Sequence, residues 1–138
     1  MTTYVDSSVV LRIVLGQRGQ LAEWKKIQSA VASGLLEVEC LRTLARLRAS
    51  GHLSVEDAAA RRAAVFRILD GIDLIDVTPT VLHRASQPMP APLGTLDAIH
   101  LATAGLWCES KDERLTMATH DRALALAAQA SGFAVIGV

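Results

Sequence analysis

The chain has 138 residues, of which 51% are hydrophobic and 20% are charged. This length and composition fit one domain that can bury a substantial core, and we expect that single domain to cover residues 1–138. The 14 basic residues balance the 14 acidic residues. The balance excludes a protein that is drawn to nucleic acid or membranes by its overall charge, so any nucleic-acid site must be local.

The first residues and the cysteines indicate the compartment. The N-terminus lacks the basic and apolar regions of a signal peptide, and no apolar stretch reaches membrane-spanning length. Cys40 and Cys108 lie within apolar helical patterns and do not form a disulfide or metal-binding framework, which is typical of buried thiols in a reducing compartment. We therefore expect a cytoplasmic protein with no membrane segment.

Predicted strands and helices alternate along the chain. The predicted strands lie at 3–5, 35–36, 72–77, 115–119 and 133–138. The predicted helices lie at 9–15, 21–32, 37–49, 58–69, 81–86, 96–107 and 122–131. Since parallel strands need long crossover connections, the alternation predicts an α/β fold with a mostly parallel sheet covered by helices on both faces.

Local signals support several boundaries. Ser7 and Ser8 offer an N-cap for the first helix, and Thr95 offers one for the helix at 96–107. The proline-rich stretch Gln87–Gly94 is the clearest loop, and it is too short to join two domains.

Three aspartates fall where a parallel sheet opens to ligands. Asp6 follows the first strand, and Asp121 follows the strand at 115–119. In such sheets ligands bind beyond the carboxyl ends of the strands. Asp97 lies in the first turn of its helix and shares the apolar face of Leu101 and Ala104. An inward carboxylate needs a partner, so we expect Asp97 to face this edge of the sheet.

Each carboxylate also has a local explanation. Asp97 and Asp121 suit the electrostatics of a helix N-terminus, and Asp6 suits a turn after a strand. Glu39 can pair with Arg42 along its helix, and the position of Glu37 makes it a rival to Glu39. The combination favours a metal site, because several carboxylates at one sheet edge repel each other without a cation. Hard oxygen ligands select Mg²⁺ or Mn²⁺.

The sequence resembles the PIN domain family, and specifically VapC-type toxins of toxin–antitoxin pairs. The resemblance spans nearly the whole chain and is carried by the blocks Tyr4–Val9, Glu39–Arg42, Leu96–Ala104 and Thr119–Asp121. It implies a three-layer α/β/α sandwich with a parallel five-stranded sheet. It also implies a Mg²⁺- or Mn²⁺-dependent endoribonuclease that acts as a toxin, forms a homodimer and is inhibited by a cognate antitoxin protein.

The resemblance assigns the catalytic and metal-binding roles to Asp6, Glu39, Asp97 and Asp121. It favours Glu39 over Glu37, because a nearby arginine follows the glutamate in such toxins, as Arg42 does here. The chain departs from the pattern at Gly94, where many relatives have a basic residue, and at His120, where tyrosine is common. These departures concern RNA contacts more than the chemistry.

Further side chains are candidates for supporting roles. Ser7 and Thr119 are expected to hydrogen-bond site carboxylates or to cap helices. Arg42 and Arg46 lie one helical turn apart and suit either RNA phosphate or ion pairs with Glu39. His100 follows Asp97 by three residues and suits the core, or support of a ligand, better than RNA contact.

Other functions fit the sequence less well than a nuclease does, and one alternative stays open. A receiver-like or flavodoxin-like binding module does not explain an acidic residue inside a helix, and a Gly-rich phosphate loop is absent. An aspartate-nucleophile phosphatase lacks the second aspartate expected two positions after Asp6. A catalytically silent PIN domain that binds partners stays open. For the nuclease, water attack with metal assistance predicts 5'-phosphate and 3'-hydroxyl ends, whereas histidine catalysis would leave a cyclic phosphate.

Overall fold

The computed structural model of the chain describes residues 2–138, which form five strands and six α-helices. The strands are β1 (Thr2–Val5), β2 (Ser29–Ser33), β3 (Asp73–Ile75), β4 (Leu115–Ala118) and β5 (Ala134–Ile136). The helices are α1 (Ser7–Val14), α2 (Leu35–Ala49), α3 (Val55–Leu69), α4 (Pro79–Ala85), α5 (Thr95–Lys111) and α6 (Arg122–Ala130). A single 3₁₀ turn lies at Trp24–Lys26.

The strands form one sheet in the order β3-β2-β1-β4-β5. All neighbouring pairs are parallel, and Tyr4 in the central strand lies between Val31 of β2 and Met117 of β4. Since all the strands run in one direction, their carboxyl ends share one edge. The strand order reverses at β1, which is where this type of sheet opens a crevice.

Helices cover both faces because adjacent strand residues point to opposite sides. Val5 and Ala118 pack in a core with α1, α2 and α3, whereas Tyr4 and Met117 pack in a second core with α5 and α6. Helix α4 packs against α5, where Val81 meets Ile99. The prediction of a three-layer α/β/α sandwich around a parallel five-stranded sheet is confirmed.

Two predicted elements are wrong. The predicted helix at 21–32 consists of the turn at Trp24–Lys26 followed by strand β2, and the predicted strand at 35–36 is the first turn of α2. Strand β2 is paired on both edges and is buried from Val31 to Ser33, so its residues show no alternation of apolar and polar side chains. Pairing with β1 and β3 determines the structure of this segment, and the local sequence pattern does not indicate this pairing.

Smaller differences concern caps and burial. Thr95 is the first residue of α5, and Gly94 occupies the N-cap position. Cys40 is buried as predicted, whereas Cys108 is only partly buried, and both are free. None of the helices within residues 2–138 combines the length and apolar character needed to cross a membrane.

Candidate active site

The four predicted carboxylates line one cleft at the carboxyl edge of the sheet. The cleft has a volume of about 460 Å³. Asp6 comes from the end of β1, Glu39 from α2, Asp97 from the first turn of α5, and Asp121 from the loop after β4. Two larger clefts lie elsewhere, but none of these carboxylates lines them. The convergence of acidic groups, and not cleft size, therefore singles out this site.

Asp6 is held rigidly at the floor of the cleft. Its side chain is almost fully buried, and its Oδ2 accepts hydrogen bonds from the Ser8 hydroxyl at 2.6 Å and the Thr119 hydroxyl at 2.9 Å. The Ser7 hydroxyl lies 3.5 Å from Oδ1. Thr119 is thus a partner of Asp6 as expected, but Ser8 is a closer partner than the predicted Ser7. The two strong donors share one oxygen, which leaves Oδ1 the freer acceptor.

The same two hydroxyls hold the loop that carries Asp121. The Ser8 oxygen accepts from the His120 N–H at 2.9 Å, and the Thr119 oxygen accepts from the Asp121 N–H at 3.0 Å. Asp121 also accepts from the Leu124 N–H through Oδ1 at 2.9 Å, so it caps α6. Asp121 therefore satisfies its local helix-capping role and lines the cleft at the same time.

Glu39 is positioned by a histidine and not by an arginine. Its Oε1 lies 2.6 Å from His100 Nε2, and its side chain is 17% exposed. Within residues 2–138 Glu39 forms no ion pair with Arg42 or Arg46. Both arginines are exposed, and Arg46 instead donates to the Thr43 hydroxyl at 3.1 Å.

The structure places only one of the two candidate glutamates in the cleft. Glu37 is exposed and does not line the cleft, whereas Glu39 does. Two positions along a helix turn a side chain by roughly 200°, so only one of the pair can face the sheet edge.

His100 is fully buried, as expected for a histidine that belongs to the core or supports a ligand. Its Nδ1 lies 2.8 Å from the Tyr4 hydroxyl, and its Nε2 lies 3.8 Å from Asp6 Oδ1. Burial by itself lowers the pKa of His100, but the hydrogen bond and charge of Glu39, with the charges of Asp6 and Asp97, raise it overall. His100 therefore lies beneath the acidic cleft.

The pKa of Asp97 reflects the electrostatic environment of the cleft. Burial is the largest effect on its carboxyl group and raises its pKa, and the negative charges of Asp121 and Asp6 raise it further, to about 6. Glu39 adds a smaller effect in the same direction, and His100 opposes it. Such a shift arises when a carboxyl group is buried and other carboxylates crowd around it without enough positive charge to balance them. No lysine or arginine lines the cleft within residues 2–138.

The C-terminal segment packs closely on the loop between Thr119 and Asp121. The Thr119 N–H donates to the Ile136 carbonyl at 3.1 Å, and His120 Nδ1 donates to the Gly137 carbonyl at 2.6 Å. Gly137 has a φ of 104°, and a Cβ there would lie 2.5 Å from the backbone carbonyl oxygen of Thr119. Only glycine fits this approach. His120 is partly buried.

Sequence reasoning missed two residues of the site. Ser8 was considered only as a helix cap, and Tyr4 only as part of a strand. The pattern Asp6-Ser7-Ser8 gave a signal for Ser8, because a hydroxyl two residues after an N-terminal acid reaches back to it. No signal existed for Tyr4, since its partner His100 is 96 residues away in the chain.

The donor set suits a hard divalent cation. The carboxylates offer oxygen ligands of the kind that Mg²⁺ and Mn²⁺ prefer, and burial together with their crowding raises the pKa of Asp97. No three His, Cys, Asp or Glu side chains among the described residues form a ready-made metal site. The arrangement is thus acidic and oxygen-rich.

Two solved structures share the fold. PAE2754 from Pyrobaculum aerophilum has a TM-score of 0.65 and 19% sequence identity, and the match covers 98% of this chain and 83% of that one. A toxin–antitoxin complex from Klebsiella pneumoniae has a TM-score of 0.61 and 17% identity, and the match covers 89% of this chain and 90% of that one. At these identities the likeness concerns the fold alone.

Sequence comparison gives the family. The profile of the PIN domain matches residues 3–130. Ribonuclease VapC47 of Mycobacterium tuberculosis (strain CDC 1551 / Oshkosh) is 31% identical over 137 residues, which cover 94% of this chain and 92% of that protein. Ribonuclease VapC46 of Mycobacterium tuberculosis (strain ATCC 25618 / H37Rv) is 30% identical over 141 residues, which cover 96% and 95%. The chain therefore belongs to the PIN domain family and, within it, to the VapC group.

Proposed function

We propose that the chain is a Mg²⁺- or Mn²⁺-dependent endoribonuclease and the toxin of a toxin–antitoxin pair. One observation carries the chemistry: Asp6, Glu39, Asp97 and Asp121 line a single cleft at the point where the strand order reverses. The relatives VapC47 and VapC46 are ribonucleases by name, which supports RNA as the substrate.

Asp6, Glu39, Asp97 and Asp121 would hold the cation. When bound, Mg²⁺ or Mn²⁺ lowers the pKa of water and neutralises charge on the phosphate in the transition state. The chain prepares this site by directing its own carboxylates. Ser8 and Thr119 occupy one oxygen of Asp6 and His100 occupies one oxygen of Glu39, so each carboxylate keeps another oxygen for a ligand.

Among residues 2–138, no lysine or arginine lines the cleft to contact the RNA backbone. Arg42 and Arg46 are exposed on α2, the helix that carries Glu39, and we propose them as phosphate contacts beside the cleft. A phosphate contact contributes to affinity through counterion release, so the Arg42→Ala and Arg46→Ala variants should each lower the salt dependence of RNA binding. Each should raise KM for RNA while kcat changes little.

The partners follow from the same assignment. One fold neighbour is a toxin–antitoxin complex by name, and we propose that a cognate antitoxin protein inhibits this chain by inserting its tail into the acidic cleft. We also propose that the toxin is a homodimer. Light scattering on the purified chain, alone and mixed with a candidate antitoxin protein, measures both assemblies.

The experiment that tests the function is cleavage of RNA by purified protein, with sequencing and end analysis of the fragments. We expect EDTA to stop cleavage, and we expect the products to carry 5'-phosphate and 3'-hydroxyl ends. Asp97→Asn should abolish cleavage, whereas Glu37→Gln, a neutralised carboxylate outside the cleft, should retain it. Cleavage that resists EDTA and leaves a 2',3'-cyclic phosphate would overturn the mechanism.

The same assay decides the alternative of a catalytically silent PIN domain. A silent domain would bind its partner and leave every RNA intact at all Mg²⁺ and Mn²⁺ concentrations. Sequencing the 5' ends of cellular RNA after brief induction of wild type or Asp97→Asn extends the comparison to the natural substrate.

A further inference from the structure

A buried row of hydrogen bonds runs across the sheet and ends at the Glu39 carboxylate. The Ser33 N–H donates to the Tyr4 hydroxyl at 3.1 Å, and the Tyr4 oxygen lies 2.8 Å from His100 Nδ1. His100 Nε2 then lies 2.6 Å from Glu39 Oε1. Ser33, Tyr4 and His100 are all 0% exposed. The cleavage chemistry described above uses only the last member of this row.

The donors and acceptors give the row a direction. The Tyr4 oxygen accepts from the Ser33 N–H, and the Tyr4 O–H can donate to Nδ1 when the His100 ring is neutral. An Nδ1 that accepts a hydrogen bond leaves the proton of a neutral imidazole on Nε2, which faces Glu39.

We propose that Tyr4 and His100 are positioning residues: Tyr4 selects the Nε2–H tautomer of His100, and that N–H fixes Glu39 so that Oε2 is kept for the divalent cation. The inference rests on the proposed function, since Glu39 needs a fixed orientation only if the cleft binds a cation. Groups that hydrogen-bond a ligand carboxylate commonly change metal affinity about 10–100-fold when they are removed.

A purely structural role for the pair makes a different prediction. A buried histidine whose two nitrogens are satisfied stabilises the core wherever its partners lie. Here the row ends at a partly exposed carboxylate of the cleft, and Nε2 also lies 3.8 Å from Asp6 Oδ1. If the role is structural, variants lose stability and keep their affinity for the cation. If the role is positioning, they lose affinity beyond what equal destabilisation causes.

The tautomer can be measured without metal or RNA. A long-range ¹H–¹⁵N spectrum of the labelled metal-free protein at alkaline pH reports both His100 nitrogens in the neutral ring. In the wild type we expect Nδ1 to be unprotonated and Nε2 to be protonated. In Tyr4→Phe we expect the Nδ1 chemical shift to move to that of an unprotonated nitrogen that accepts no hydrogen bond. A protonated Nδ1 in the wild type would refute the proposal that Tyr4 selects the Nε2–H tautomer.

The second measurement is Mn²⁺ affinity by calorimetry. Tyr4→Phe and His100→Leu should bind Mn²⁺ about 10-fold more weakly or worse. His100→Gln should recover part of the loss, because its amide N–H can donate from near the Nε2 position. The control is Val65→Ala, which truncates a fully buried side chain in the opposite core, between the sheet and helices α1–α3. We expect it to lower the melting temperature and leave the affinity unchanged.

The outcomes separate this inference from the proposed function. Normal Mn²⁺ binding by the wild type and unchanged affinity in both Tyr4→Phe and His100→Leu would refute the positioning role alone. A wild type that binds no Mn²⁺ would refute the metal-dependent function and the positioning role with it. If Tyr4→Phe does not fold, the comparison of His100→Leu with His100→Gln decides, and equal affinities in that pair overturn the proposal.

Discussion

Replacing Asp97 with asparagine should stabilise the metal-free protein at neutral pH. Burial, followed by the charges of Asp121 and Asp6, raises the pKa of Asp97 from 3.8 to about 6. An acid whose pKa is raised on folding holds its proton more tightly in the folded state. The folded state therefore loses stability as the pH rises from the unfolded pKa through the folded one, and the loss is complete above about pH 6.

The size of the effect follows from competing contributions. A pKa difference of about two corresponds to roughly 3 kcal/mol of lost folding stability when Asp97 is ionised. Solvent screening at this partly exposed group reduces the figure. The carboxylate also lies in the first turn of α5, where the helix dipole favours its charge by about 0.3–1 kcal/mol. Repulsion and burial outweigh the dipole, which leaves a gain of roughly 1–2 kcal/mol for Asp97→Asn, or about 3–8 °C in Tm.

Thermal unfolding in EDTA at about pH 4 and about pH 7.5 measures this gain. The variant should exceed the wild type in Tm at the higher pH, and the difference should shrink towards zero at the lower pH, where the wild-type carboxyl is protonated. Asp76→Asn, at an exposed position away from the cleft, is the control and should show no such pH-dependent gain. A lower Tm for Asp97→Asn at the higher pH, or a pH-independent difference, would refute the electrostatic reasoning.

Three further predictions test the cleft and its supporting loop. Millimolar Mg²⁺ or Mn²⁺ should raise the Tm of the wild type by mass action, and an equal rise in the Asp6→Asn/Asp97→Asn double variant would place the cation elsewhere. Glu39→Gln should reduce the rate of RNA cleavage, whereas Glu37→Gln should not, and the reverse result in a kinetic assay would contradict the site. Gly137→Ala should cost about 1–3 kcal/mol in denaturant unfolding, because its Cβ would meet a carbonyl oxygen at 2.5 Å in a left-handed backbone conformation.

Gly132→Ala is the matched control for the last of these predictions. Gly132 also has a positive φ, of 90°, but an added Cβ meets nothing within 4 Å. Gly132→Ala therefore measures backbone strain alone. If Gly137→Ala costs no more than Gly132→Ala, the close approach to the Thr119 carbonyl has no energetic consequence.

Most of the fold could be predicted from local signals. Ser54 caps α3 by accepting from the Asp57 N–H, and Thr78 with Pro79 begins α4. Such signals depend on residues three or four positions apart, so they are visible in the sequence. The alternation of strands and helices was sufficient to predict the parallel sheet.

The segment that was predicted wrongly depends on distant contacts. Trp24, Ile27 and Val31 are spaced like the apolar face of a helix, and the alanines of the segment favour helix. The segment becomes strand β2 because Val31 pairs with Tyr4 on one edge and Asp73 on the other. Helix propensity contributes tenths of a kcal/mol per residue, which pairing and burial in a central strand exceed.

The site, like the fold, could be predicted only where it depends on local sequence signals. The positions of Asp6, Asp97 and Asp121 at the carboxyl edge could be predicted from strand ends and helix periodicity. The hydrogen bond between Glu39 and His100 could not, because local spacing offered Arg42 as an equally good partner. The two helices that carry Glu39 and His100 meet only in the folded chain.

The position of β1 in the sheet also determines when the sheet can form during synthesis. Strand β1 leaves the ribosome before the other four strands of the sheet and lies at its centre, and its partner β4 follows more than a hundred residues later. Until β4 has been synthesised, one edge of β1 has no strand to pair with and Asp121 does not yet exist. Contacts of this separation slow folding and expose an unpaired edge during synthesis. Premature termination just before Leu115 would therefore leave the residues of helices α1 to α5 in a chain that can complete neither its sheet nor its acidic cleft.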